Sequence, residues 1–153
     1  MTQPLSLTPR IFDHLTKFSH PHINPQKTDI YAKNTPPKSR ITLKLYHPDT
    51  DESIDQNLPT NIPDIPYLPG ISFMVDEHLR DLEISTLYLK PSYQHHRIGT
   101  ALITHLIAHG KTLGLESLSC IADVETNAKT YWQNIHGFIT PRIYQPQYHY
   151  KKL

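Results

Sequence analysis

Eleven of the fourteen prolines in this chain lie at or before Pro69, and the first of its five glycines is Gly70. Proline withholds a backbone donor and fixes φ, which excludes it from helix interiors and central strand positions. Long regular elements are therefore expected mainly after residue 70. The stretch 48–69, PDTDESIDQNLPTNIPDIPYLP, is acidic, proline-rich and without periodicity. It reads as a mobile surface loop or, because binding residues often ride on loops, as a lid over a substrate site.

Around that stretch the apolar pattern is legible. Thr8 is placed to cap a short helix running to about His20, with Pro9 at its first position and Ile11, Leu15 and Phe18 on one face. RITLKLYH, residues 40–47, alternates apolar and polar side chains as a half-buried strand does. GISFMV (70–75) and DLEISTLYL (81–89) are strand-like and joined by the polar DEHLR. Residues 98–111 put Ile98, Ala101, Leu102, Leu106 and Ile107 on one helical stripe, and Gly114 follows as a stop signal. LSCIA, 118–122, reads as a buried strand, and 127–135 as a second helix through Ala128, Tyr131, Trp132 and Ile135. Residues 138–144 and 148–153 are candidate closing strands. No internal repeat is present. The order predicts an α/β protein, a mixed α+β sheet flanked by helices. At 153 residues the chain fits one domain, 1–153, with 1–69 as its atypical N-terminal part.

Composition excludes several classes of function. The formal charge is +1 with pI near 7.9, so no electrostatic case exists for nucleic acid as a partner. The single cysteine, Cys120, forms no internal disulfide and suits a reducing compartment. The N-terminus lacks the pattern of a secretory signal, and no window approaches the 18 or so apolar residues of a membrane span. A soluble, cytoplasmic protein without membrane association is the expectation.

The most informative stretch is SYQHHRIGTALITHLIAHGKTLG, residues 92–114. A strand ending at Leu89, a basic turn and a helix beginning near Ile98 together make an anion site. The first helical turn presents unpaired N–H groups and partial positive charge, each charge–dipole contact being worth about 0.3–1 kcal/mol. Gly99 lets a ligand approach the backbone closely, and His95, His96 and Arg97 add cations.

These residues resemble motif A of the GNAT superfamily of N-acetyltransferases, V-x-P-x-x-[QR]-x-x-G-x-[GA] opening a helix. Leu89-Lys90-Pro91-Ser92-Tyr93-Gln94 fills its first part and Gly99-Thr100-Ala101 its second. Arg97 stands where the first glycine of the loop is usual. NAKTYWQNIHGF resembles motif B, a helix with an aromatic near its end followed by Gly-Phe. One residue more than usual precedes Gly137-Phe138, which leaves Tyr131 and Trp132 as alternatives for the family's tyrosine. The resemblance covers about 70–153.

It implies a GNAT-like fold and transfer of an acetyl group from acetyl-CoA, the co-substrate, to a primary amine of a small molecule or a protein. Such an amine, with pKa near 10.4, must lose a proton at a cost of about 4–5 kcal/mol at pH 7, which calls for a general base. The resemblance implies Glu83 in that role, because it lies eleven residues before Gln94, the spacing of the histone acetyltransferase branch. It likewise implies Leu87 and Leu89 along the cofactor, with the Leu89 N–H on the thioester carbonyl. Gln94, His95, His96, Arg97, Ile98, Gly99 and Thr100 would lie around the diphosphate. Asn127 would meet the pantetheine arm, unless it caps its helix, and Tyr131 would protonate the leaving thiolate. Asp49, Asp51, Glu52 and Asp55 are a second acidic group able to attract a cationic amine. Related proteins often pair, so a homodimer is a further expectation. The alternative from another class is an acyl-CoA-binding regulatory or interaction module without turnover.

His105 and His109 have the i, i+4 spacing of metal ligands, but HLIAH lacks the glutamate that makes such a pair informative. No metal is expected, and the two read as histidines at a helix edge. His20 and His22 read as a turn, and Cys120 as a small core hydrophobe. The terminal Lys151-Lys152 is too short for a basic arm.

Overall fold

The computed structural model describes residues 7–24, 28–35, 38–121, 136–138 and 148–153. Helix α1 spans Leu7–Thr16 and buries Leu7, Ile11 and Leu15 completely. The expected cap at Thr8 is corrected. Thr8 lies inside the helix, and the carboxylate of Glu77 caps it from the turn between two strands. Glu77 accepts from Leu7 N–H at 3.2 Å, from Thr8 N–H at 2.8 Å and from the Thr8 hydroxyl at 2.7 Å. An anion there also meets the positive end of the helix dipole.

Among the described residues the strands are β1 (Thr28–Thr35), β2 (Lys38–Leu45), β3 (Leu58–Pro59), β4 (Tyr67–Leu68), β5 (Ile71–Asp76), β6 (Asp81–Leu87), β7 (Ser117–Ile121) and β8 (Tyr148–Lys152). Six form one sheet in the order β1-β2-β5-β6-β7-β8, and β3-β4 is a separate hairpin. All neighbours in the large sheet are antiparallel except β6 and β7. Helix α2, Ile98–Leu113, makes the crossover between that parallel pair. It ends at Gly114 with φ 106°, the left-handed stop that glycine accepts without strain. The predicted mixed sheet flanked by helices is therefore present. β1 was not expected, because TDIYAKNT has no alternation to announce it.

The core is one cluster: Leu7 and Ile11 from α1, Ile41, Phe73 and Leu82 from the sheet, and Leu102 and Leu106 from α2. The acidic stretch 48–69 contributes to it, which corrects the expectation of a mobile loop. Ile54 is fully buried, its N–H bonds Leu45 O, and the Lys90 N–H bonds Ile54 O. Gln56 N–H bonds Tyr88 O, while Tyr88 N–H bonds Gly70 O. Residues 53–56 thus fill the place between β2 and the end of β6 that β5 leaves open before it begins. At that joint a Cβ on Gly70 would lie 2.7 Å from Gln56 N and O, so only glycine fits. The expected helix at 127–135 and strand at 138–144 lie outside the described residues, apart from Phe138, which is buried.

Candidate functional site

The parallel ladder of β6 and β7 ends at Ile84–Cys120, yet β6 continues to Leu87 and its chain to Leu89. β6 also carries a bulge: Phe73 pairs with Ile84 and Ser72 with Thr86, leaving Ser85 unmatched. A bulge re-aims the side chains beyond it. Thr86 thereby bonds Ser72 (2.7 Å) and Pro69 O (2.7 Å), and Leu87 turns under the first turn of α2. Tyr88 directs both backbone groups toward Gly70 and Gln56. In an antiparallel strand successive residues alternate, so the N–H groups of Leu87 and Leu89 face the other way, toward the side on which β7 pairs with β6 up to Ile84. The carbonyl of Leu89 accepts from Gln94 Nε2 at 2.9 Å, which ties the strand end to the following turn.

That turn is a 3₁₀ helix, Pro91–His96, joined to α2 by Arg97 at φ 56°, ψ 30°. Arg97 therefore takes the left-handed conformation that a glycine would accept freely, and it remains exposed. Gly99 needs no such freedom: it lies in the first turn of α2, and a Cβ there would only touch Leu87 at 3.5 Å. Ala101 N–H bonds Arg97 O (2.9 Å) in the first turn, and the N–H groups of Ile98 and Gly99 lie ahead of it. No acidic side chain stands in that turn and no side chain caps it. Four expected residues, Arg97, Ile98, Gly99 and Thr100, are thus together at one helix N-terminus. The His95 side chain, Asn127 and Tyr131 (with its alternative Trp132) lie outside the described residues.

The N-terminal segment adds residues that sequence reasoning missed. His22 stacks on His96 with ring centroids 3.9 Å apart, and His20 lies 5.4 Å from His22. SHPHI is a turn, as expected, but one delivered to the basic loop. Burial, and next the neighbouring His22, lowers the His20 pKa. Glu52 ties the same loop down, accepting from Tyr93 Oη at 3.1 Å and pairing with Lys90 at 3.9 Å.

Glu83 is half-buried on β6, paired in register with Met74 and Ser119, with Ser85 Oγ 3.5 Å from its carboxylate. Asp81, two residues earlier, accepts from Ser117 Oγ (2.7 Å) and Ser119 Oγ (2.6 Å), and burial raises its pKa against those hydroxyls. Cys120 is buried, and burial with the charge of Glu83 pushes its thiol up to about 12. A thiol so rarely ionised is no nucleophile, in keeping with the core role expected.

A cleft of about 390 Å³ lies beside this site, lined by Thr42, Leu43, Lys44, Asp55, Asn57, Tyr67, Leu68 and Pro69. Asp55 is only 6% exposed, forms a bridge with Leu89, and accepts from Leu45 N–H at 3.1 Å. Burial raises its pKa, opposed by that hydrogen bond. Asn57 and Tyr67 carried no signal in the sequence, since a proline-rich run has no period to show which side chains turn inward.

The model of the acetyltransferase (GNAT) family matches residues 70–138, which contain β5, β6, α2 and β7 in the order that the resemblance implies. Three solved structures align at low identity. An acetyltransferase from Bacillus cereus ATCC 14579 is 12% identical, over 95% of this chain and 87% of that one, with TM-score 0.48. Nourseothricin acetyltransferase is 12% identical over 85% of each chain, with TM-score 0.48. A KacTA–DNA complex is 15% identical, over 78% of this chain and 70% of that one, with TM-score 0.44. No curated protein matches the chain.

Proposed function

We propose, from the match of residues 70–138 to the acetyltransferase (GNAT) family, that the protein transfers an acetyl group from acetyl-CoA to a primary amine by direct attack. The observation that carries this reading is the end of the β6–β7 ladder at Ile84–Cys120, close to the acid-free N-terminus of α2. The α2 N–H groups, Arg97 and the imidazoles of His95 and His96 hold the diphosphate. The N–H groups of Leu87 and Leu89 face the thioester, where donors to a developing oxyanion contribute most. Glu83 takes the proton released by the amine, and Tyr131 returns one to the sulfur. Asn127 meets the pantetheine arm. The cleft holding the buried Asp55 receives the amine as a cation, since a carboxylate there is best stabilised by a positive partner.

Calorimetry with acetyl-CoA, with ATP as control, tests the first half of this reading. Selective binding supports a CoA cradle. The second half rests on Glu83→Gln, which should leave acetyl-CoA affinity within about twofold while kcat falls by 10²–10⁴-fold, the usual worth of a general base. Binding without turnover in the parent protein would leave an acyl-CoA-binding module instead.

A further inference from the structure

A second cluster of chemistry lies away from the acetyl-transfer site, where α1 meets α2. The Phe18 ring, just past α1, packs on His105 with centroids 5.7 Å apart, and His14 approaches from α1 itself. His14, His105 and His109 each present one ring nitrogen, and these atoms all lie within 4.8 Å of one another. The His14 and His105 rings are 4.2 Å apart and nearly parallel, at 10°. His109 sits 4.9 Å from each, tilted by 55° and 57°. The Nε2 atoms of His14 and His105 are buried and bond nothing among the described residues. A buried polar atom left unpaired is destabilising, so two of them at one spot call for a partner.

The surroundings indicate what kind. Burial, then a neighbouring imidazole, lowers the pKa of both His14 and His105. The adjacent carboxylate, Asp13, is paired with Lys17 at 3.2 Å and exposed. Neutral imidazoles without a carboxylate suit zinc, copper or nickel and not calcium or magnesium. We propose that His14, His105 and His109 form a three-histidine site for a borderline transition-metal ion, zinc foremost, that clamps α1 onto α2.

Zinc–nitrogen bonds of about 2.0–2.1 Å put tetrahedral ligand atoms about 3.4 Å apart. Closing from 4.8 Å calls for rotation of the side chains: His109 is exposed, and His14 has to tilt out of its stack so that its in-plane lone pair meets the ion. Water takes the fourth position. His105 lies seven residues past Ile98, roughly 10 Å along the axis from the end that opens the acetyl-CoA cradle. The ion therefore holds the scaffold and takes no part in the transfer. This departs from the expectation of two edge histidines, because the third ligand comes from a helix near the other end of the chain.

The test is calorimetric titration of chelator-stripped protein with zinc chloride at neutral pH, followed by thermal unfolding with and without the ion. One zinc per chain, a raised Tm, and affinity reduced at least about tenfold in His109→Gln and His14→Ala are the expected results. His109 is exposed, so its replacement leaves packing intact if His14→Ala proves unstable. His22→Ala should bind zinc as the parent does, and cobalt(II) should give a visible absorption that both ligand variants lose. No uptake at micromolar zinc, His109→Gln binding as tightly as the parent, or loss of binding in His22→Ala each overturns the proposal.

Discussion

Arg97 turns the chain from the 3₁₀ helix into α2 in a conformation that costs a residue with a Cβ about 1–2 kcal/mol. Strain of this kind persists where the neighbouring structure holds it. Arg97→Gly should therefore raise the unfolding free energy by roughly 0.5–1 kcal/mol in urea, part of the relief being offset by glycine's looser unfolded state. The same change removes an exposed cation beside the proposed diphosphate cradle, and acetyl-CoA affinity should fall by at most about fivefold. Gly99→Ala is the complementary probe. A methyl there fits against Leu87 and favours the helix by up to about 1 kcal/mol, so weaker acetyl-CoA binding with unchanged or raised stability would isolate the ligand's need for bare backbone. Sequence singled out Gly99 as the special residue of the junction. The unusual φ belongs instead to Arg97, which stands where the first glycine of the family's loop is usual.

The segment 53–56 shows what patterning misses among the elements. β2, β5, β6, α2 and β7 were legible because each is long enough for a period of 2 or 3.6 to recur. Three or four residues among prolines and acids cannot show one. Yet Ile54 is fully buried, and its backbone joins β2 to the strand end at Lys90. Ile54→Ala should destabilise the protein by about 2–4 kcal/mol in denaturant titration, the usual cost of a buried cavity. It should also weaken acetyl-CoA binding, because the bridge from Asp55 steadies Leu89. A stability loss below about 1 kcal/mol would show that the segment is ornamental. β1 escaped notice for a related reason: its pairing with β2 runs from Thr28–Leu45 to Thr35–Lys38 and is supplied by partner backbone, not by its own composition.

Across the whole molecule, acid should act on buried groups of opposite sign. His136 is 5% exposed, and burial, then the charge of Lys151, lowers its pKa to about 4. Between the ordinary histidine value of 6.5 and 4 the unfolded chain binds the proton more readily. Folding stability should fall as pH drops through that window, by up to about 3 kcal/mol. Asp55 and Asp81 work the other way, because their raised pKa values make the folded state gain on protonation at the lower end. A urea series from pH 7 to 4 should show the loss, and His136→Gln should flatten it; a flat parent profile would refute the assignment.

The joint at Gly70 has a consequence for how such a chain can diversify. Gln56 and Gly70 already touch, so residues 57–69 leave the sheet and return to the place they left. Four of the eight residues lining the cleft, Asn57, Tyr67, Leu68 and Pro69, ride on that excursion. Loop closure depends only weakly on length, so the excursion can lengthen, shorten or be exchanged while strand register stays fixed. The wall of the proposed amine cleft is in this sense a cassette, mounted on a frame that need not change when its contents do.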